Sequence, residues 1–302
     1  MIRSPRHLWT RYLASLTCVV ATLGSAVWAA DPPAASIFAK GNLAAWCIVP
    51  FDASRRGPAE RAAMLQKLGL TKLAYDWRDE HVPTFEDEIL ALQKHGIEFF
   101  AYWCPLGDSP ANRSMFKLIA QYQLHPQIWT IAPANAADSQ EQQVELNARA
   151  VLPLVQEAQR LGCHVALYNH GGWAGEPENM IAMVQWLRKH ADTDAVGIVY
   201  NFHHGHDHVG DFPQVFAAMQ PYMFCLNLNG MNEKANPKIL PIGAGQHERA
   251  MMETVRKSGY AGPIGILDHR DDTDSEKTLR ENLEGMKKVL REMGDQTALK
   301  TY

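Results

Sequence analysis

One pattern recurs eight times in this 302-residue chain and limits its fold more than any other feature. A short apolar run ends in polar residues, and an amphipathic helical stretch follows. The runs are LAAWCIV (43–49), LTKLAYDW (70–77), IEFFAYW (97–103), QIWTIA (127–132), CHVALYNH (163–170), VGIVYNF (196–202), YMFCLNLN (222–229) and PIGILDH (263–269). They show little polar alternation, as parallel strands covered on both faces should. The stretches between them carry helix signals: Thr84-x-x-Asp87, Ser139-x-x-Gln142 and Thr273-x-x-Glu276 read as capping boxes. Gly69, Gly96, Gly162 and Gly259 read as left-handed helix ends. In the last stretch Leu279, Leu283, Met286, Leu290 and Met293 recur at three- and four-residue steps, one apolar face for packing on a sheet.

Eight strand–helix units in about 250 residues predict an α/β fold, the (β/α)8 TIM barrel. No GxGxxG follows the first strand, which argues against an open dinucleotide-binding sheet. Nothing linker-like divides the chain, so one domain is expected over residues 31–302. Residues 1–30 have a different character. Arg3, Arg6 and Arg11 precede the uncharged run at 12–28, and Val27-x-Ala29 follows as a cleavage site. Basic, apolar and small segments in that order predict a secretory signal, with an uncleaved anchor as the alternative; the signal implies an exported protein, periplasmic or secreted, with no membrane attachment after cleavage. The formal charge of −4, with no basic stripe, argues against nucleic acid as a partner. Cys47, Cys104, Cys163 and Cys225 are far apart, form no CxxC and fall in or at the ends of the apolar runs, so they read as buried thiols.

A barrel of this kind places its chemistry at the C-terminal strand ends. Those ends carry Asp76, Trp77 and Arg78 (second strand), Trp103 (third), His170 with Trp173 beyond it (fifth), Asn201 and His204 (sixth), Asn229 (seventh), and Asp268 with His269 (eighth). A core strand has no packing reason to end in imidazole three times. His170, His204 and His269 are therefore expected to converge on one mouth. His206 and His208 fall in the following loop, and His164 reads as a core histidine within the fifth strand. Trp77, Trp103 and Trp173 offer flat apolar faces suited to sugar rings. Asp76, Arg78, Asn201 and Asn229 offer hydrogen bonds to hydroxyls.

The segments VALYNHGGW, GIVYNFHHGH, CLNLNG and SGYAGPIGILDH, followed by TLRENLEGMKKVL, resemble the sugar phosphate isomerase/epimerase group of xylose-isomerase-like barrels over residues 43–290. The resemblance implies carboxylates and histidines at the ends of strands five to eight that hold a divalent metal during enediolate chemistry. This chain departs from that set. The strand-five glutamate position reads Tyr168 or Asn169, the strand-six aspartate position Asn201 and the strand-seven histidine position Asn227. His204, His170 and Asp268 are the matches that remain. Two cofactor states stay open: one divalent ion, zinc or another first-row transition ion, on His170, His204 and His269, or none. Hard cations prefer carboxylate oxygens, whereas imidazoles suit zinc.

The function expected is an exported enzyme that abstracts a proton next to a carbonyl of a small sugar or keto-sugar, as an isomerase or epimerase does. His204 and His170 are its candidate base and acid, and Asp268 orients or ligates beside His269. Two alternatives stand beside it. One is a keto-glycoside lyase or hydratase on the same barrel, and the other is a barrel that binds carbohydrate without catalysis.

Overall fold

The computed structural model describes Met1 and residues 36–270 and 273–302. The expected export signal and Cys18 lie outside the described residues. All eight expected strands form: β1 (Leu43–Trp46), β2 (Lys72–Tyr75), β3 (Glu98–Trp103), β4 (Gln127–Thr130), β5 (His164–Tyr168), β6 (Val196–Asn201), β7 (Met223–Leu228) and β8 (Ile264–Leu267). Each lies parallel beside the next, and β8 returns to β1 with Leu43 opposite Ile264 and Trp46 opposite Leu267, closing the barrel. One long helix follows each strand. These are α1 (Pro58–Leu68), α2 (Phe85–Lys94), α3 (Pro110–Gln121), α4 (Gln140–Arg160), α5 (Pro177–Ala191), α6 (Phe212–Met219), α7 (Glu248–Lys257) and α8 (Ser275–Glu292).

The strands are apolar on both faces because each face meets a different core. Leu43, Ala45, Leu73, Tyr75 and Val165 pack outward with the helices. Ala44, Ala74, Ala101 and Ala166 pack with the large rings of Trp46, Phe100, Trp129 and Tyr168 in a second cluster. Small residues make the room that the indoles fill. Trp129 is fully buried, edge-on to Trp46 at 4.9 Å between ring centres. The helix face read from the sequence is the buried one: Leu279, Leu283, Met286 and Leu290 on α8 are all inaccessible or nearly so. The four cysteines are free and buried.

Helix ends agree in part. Ser139 accepts a hydrogen bond from the Gln142 N–H, as its capping box requires. Gly69 and Gly162 adopt φ of 68° and 67°, closing α1 and α4 in the left-handed region that glycine enters without steric cost. At α8 the cap is Asp274, which accepts from Lys277 N–H, while the Thr273 hydroxyl donates to the Arg270 carbonyl. At α2 the Thr84 hydroxyl likewise turns away and donates to the His81 carbonyl. In both cases a hydroxyl near a helix start found a nearer carbonyl. His164 also departs from expectation. It is exposed as the first residue of β5, because inward and outward sides matter only once the strand has entered the barrel; its ring meets Phe224 edge-on at 5.5 Å.

Between α1 and α2 the charged pair Arg61–Glu88 is buried, with side chains 3% and 0% exposed. Burial pushes the Glu88 carboxyl up and Arg61 opposes it. Glu88→Ala would strand a buried guanidinium, and should lower the unfolding free energy by about 3–5 kcal/mol. Urea denaturation followed by circular dichroism checks this, and a change within 1 kcal/mol (on the order of a surface substitution) would contradict it.

Candidate active site

The mouth of the barrel at the strand C-termini holds a cavity of about 680 Å³. Its aromatic part is built from last residues of strands: Trp46 of β1, Trp103 of β3 and Tyr168 of β5. Trp103 lies 6.1 Å from Trp46 and stands edge-on to Tyr168 at 5.1 Å. The Trp46 indole N–H donates to the Tyr168 hydroxyl at 3.3 Å, and both rings are nearly buried, so Trp103 is the more open ring of the three. Trp77 joins the wall, anchored by its N–H on the Trp103 carbonyl at 2.8 Å.

The imidazoles converge as the sequence predicts. His170 follows β5, His204 lies in the short turn Phe202–His204 after β6, and His269 follows β8; all three line the cavity. The rings of His170 and His204 are 4.5 Å apart. His203, which the strand-end reading passed over, is buried beneath them, 3.7 Å from His204 and 6.3 Å from His269. Lys238, from the long segment after β7, places its ammonium 3.4 Å from His204 Nδ1. Burial, then the Lys238 charge, pushes His204 down to about 3. Burial and Lys238 also lower His170. Both effects favour the neutral rings of His170 and His204.

Opposite, β2 ends in Asp76 and Arg78. Asp76 lines the cavity at 2% exposure, and burial, opposed by Arg78, lifts its carboxyl to about 7. The Arg78 guanidinium lies 5.4 Å over the Phe51 ring, which in turn packs on His269 at 3.9 Å.

Several expected site residues lie elsewhere. Trp173 is outside the cavity lining, its indole N–H donating to Gln140 of α4 at 3.1 Å. Asp268 is 1% exposed behind the wall, where it accepts from the Thr278 hydroxyl and faces Arg270 at 3.6 Å; burial raises it to about 7. Asn229 is fully buried and donates to the Gly230 carbonyl. Asn201 is also fully buried, in an amide ladder. Asn169 Oδ1 accepts from Asn201 N at 2.7 Å and from Asn201 Nδ2 at 2.9 Å, and Asn227 Nδ2 donates to Asn201 Oδ1 at 2.6 Å. Gly265 of β8 makes this ladder fit, since a Cβ there would lie 1.7 Å from Asn227 Oδ1. As the loop reading expects, His208 is bound outside the cavity. Burial would lower it, but Glu176 and Asp211 at 3.0 and 3.2 Å outweigh that and raise it.

The ladder occupies the strand ends where the family resemblance implies metal ligands, and it does not fit a divalent ion. The Asn169 and Asn201 amide oxygens already accept N–H groups, and the set carries no charge to offset a dication's desolvation. Nor do the imidazoles form a ligand set. Among the described residues no three His, Cys, Asp or Glu side chains gather around one point, and Lys238 sits on the His204 lone pair.

With this geometry, the xylose isomerase-like TIM barrel family model matches residues 85–289, and the chain belongs to that family. A comparison with curated proteins finds no match. Among solved structures, the chain is similar to the probable 3-DHS dehydratase AsbF of Bacillus anthracis (12% identity, 80% of this chain and 97% of that one, TM-score 0.60). It is also similar to the 3-keto-D-glucoside 4-epimerase YcjR of E. coli (14%, 84% and 99%, TM-score 0.58) and to an IOLI protein with a bound zinc atom (11%, 86% and 99%, TM-score 0.56). At these identities the likeness is one of fold. Structural relatives of this family thus include a sugar epimerase and a dehydratase, and some hold a metal.

Asn201→Asp tests the ladder. The new carboxylate would lose the donor to Asn169 and sit unsolvated, costing about 2–4 kcal/mol at pH 8. Burial raises its folded pKa above the unfolded one, so the penalty should be absent at low pH and grow as pH rises through the folded value. Urea melts at pH 5 and pH 8 that show the same loss would refute it.

Proposed function

We propose that the protein is a sugar isomerase- or epimerase-like enzyme that removes a proton next to the carbonyl of a sugar or keto-sugar. The observation that carries this reading is the convergence of imidazoles over an aromatic floor in one cavity, with burial and Lys238 favouring the neutral rings of His170 and His204. Lys238 donates to His204 Nδ1, which assigns the remaining ring proton of His204 to Nε2. A neutral imidazole N–H can then hold the carbonyl oxygen and stabilise the enolate as charge develops. His170, 4.5 Å away and also neutral, takes the carbon-bound proton. Trp103, beside Trp46, Trp77 and Tyr168, supplies a ring-stacking face, and Asp76 and Arg78 reach hydroxyls. Asp268 has a positioning role, holding the His269 segment through Thr278 and Arg270. The leader-like pattern at 1–30 supports export, which favours a neutral or oxidised sugar over a sugar phosphate.

One other reading has specific support. The amide ladder, in place of carboxylates, favours a barrel that binds carbohydrate without turning it over. Zinc on His170, His204 and His269 would need the rings to close around one point and Lys238 to leave His204. A lyase or hydratase would share the enolate and differ in expelling a group from the next carbon.

In D2O, a panel of aldoses, ketoses and 3-ketoglycosides should show enzyme-dependent deuterium uptake beside the carbonyl. His204→Ala and His170→Ala should each slow it by about 10²–10⁴-fold. Exchange undiminished in both variants would end the assignment, and binding with no exchange by the unaltered protein would favour the non-catalytic reading. Lys238→Met should move the His204 pKa back up toward the ordinary imidazole range, read by NMR titration. Stoichiometric zinc in protein purified without a histidine tag would overturn the metal-free site.

A further inference from the structure

The histidine wall leaves the carboxyl across the cavity without a part in the proton transfer. Asp76 directly follows β2, and in an eight-strand ring β2 stands diametrically across from β6, whose following turn carries His204. Its Oδ1 receives a long hydrogen bond, 3.4 Å from the Val49 N–H, its Oδ2 is buried with no nitrogen or hydroxyl donor on it, and the Cys47 thiol is the side chain that leans on the carboxyl. Buried polar atoms are normally satisfied, and a carboxyl left this way in a cavity wall is a cost that packing does not offset. The adjoining backbone is strained as well. Cys47, which also lines the cavity, has φ of 60°, a left-handed conformation uncommon for a residue with a Cβ.

We propose that Asp76 is a further catalytic residue, the carboxylate that carries the hydroxyl proton when the substrate carbonyl moves to the neighbouring carbon. The assignment rests on the proton-transfer reading above and adds the half of the reaction that the histidines do not perform. Once His170 has taken the carbon-bound proton, the substrate is an enediolate with two adjacent oxygens. The neighbouring hydroxyl O–H then breaks, its proton passing to Asp76 and its electron pair closing the new C=O. The C=C pair takes back the proton from His170 at the former carbonyl carbon. Asp76 finally gives its proton to the former carbonyl oxygen. Both residues end as they began, and no further reactant is needed. A carboxyl suits this shuttle because it can take a proton from one substrate oxygen and return it to the next.

The surroundings of Asp76 support it. The groups whose charges it feels or influences are Cys47 after β1, Tyr75 on β2, Tyr168 on β5, Arg78 beyond its own strand, and Arg61 from α1. Burial raises Cys47, Tyr75 and Tyr168, so none of the three competes as a base near neutral pH. Asp76 itself, at about 7, is poised to accept and return a proton there.

The test separates the two half-reactions in D2O, with D-xylose, D-glucose, D-fructose, D-tagatose and 3-keto-D-glucose as probes. NMR reads both deuterium uptake and the appearance of the isomer. For the unaltered enzyme, isomer formation should rise with pH through about 7. Asp76→Asn should keep exchange within about tenfold, slow isomer formation by about 100-fold or more, and abolish that pH limb. Asp76→Ser serves as a second variant if the amide fails to fold. Normal isomer formation in either folded variant would overturn the assignment. So would loss of exchange together with isomerisation, or exchange without carbonyl migration in the unaltered enzyme. No exchange by the unaltered enzyme on any probe would remove the parent reading instead, and this assignment with it.

Discussion

The pairing of β8 back onto β1 is the constraint from which the rest follows. A closed sheet has no free edge, so every strand must be apolar on both sides, and all polar residues collect where the strands end. In this chain that gathering is pronounced. Segments separated by more than two hundred residues, Phe51 and His269, touch at 3.9 Å because closure makes β1 and β8 neighbours. The interior gains its bulk from rings set against alanines, and the uppermost rings become the floor of the cavity.

On that floor the charge pattern is divided. One side of the mouth carries imidazoles and an ammonium, and the other carries a buried carboxyl with a guanidinium beside it. Where the family resemblance implies metal ligands, this chain has three asparagines whose oxygens and N–H groups satisfy one another. An amide ladder needs no counter-charge, and its hydrogen bonds stay intact when solvent is excluded. At these strand ends the charge that a dication would need is therefore absent, and the titrating side chains stand elsewhere in the mouth.

The fold was legible because eight apolar runs with consistent helix signals between them admit few architectures. The ends of those runs were less so. The first run continues to Val49 in sequence, yet β1 stops at Trp46, since Cys47 turns to a left-handed φ that no side-chain pattern announces. That hid Trp46 and Cys47 as cavity residues. His170, His204 and His269 could be found because strand ends were the right place to look. Lys238 could not, since it reaches His204 from a long segment well past β7. Asn201 was recognised as standing in a ligand position, but its bonding to Asn169 and Asn227 depends on three strands lying side by side. Trp173 reads like its cavity-lining counterparts in sequence, and only the turn after β5 shows it aimed at α4.

The same ladder has a historical consequence. Because Asn169, Asn201 and Asn227 satisfy each other, replacing any one leaves a neighbour's buried oxygen or N–H stranded, and Gly265 leaves no slack for readjustment. An arrangement of this kind resists change one residue at a time. Each single replacement would pass through a less stable protein, so the three amides behave as one inherited unit.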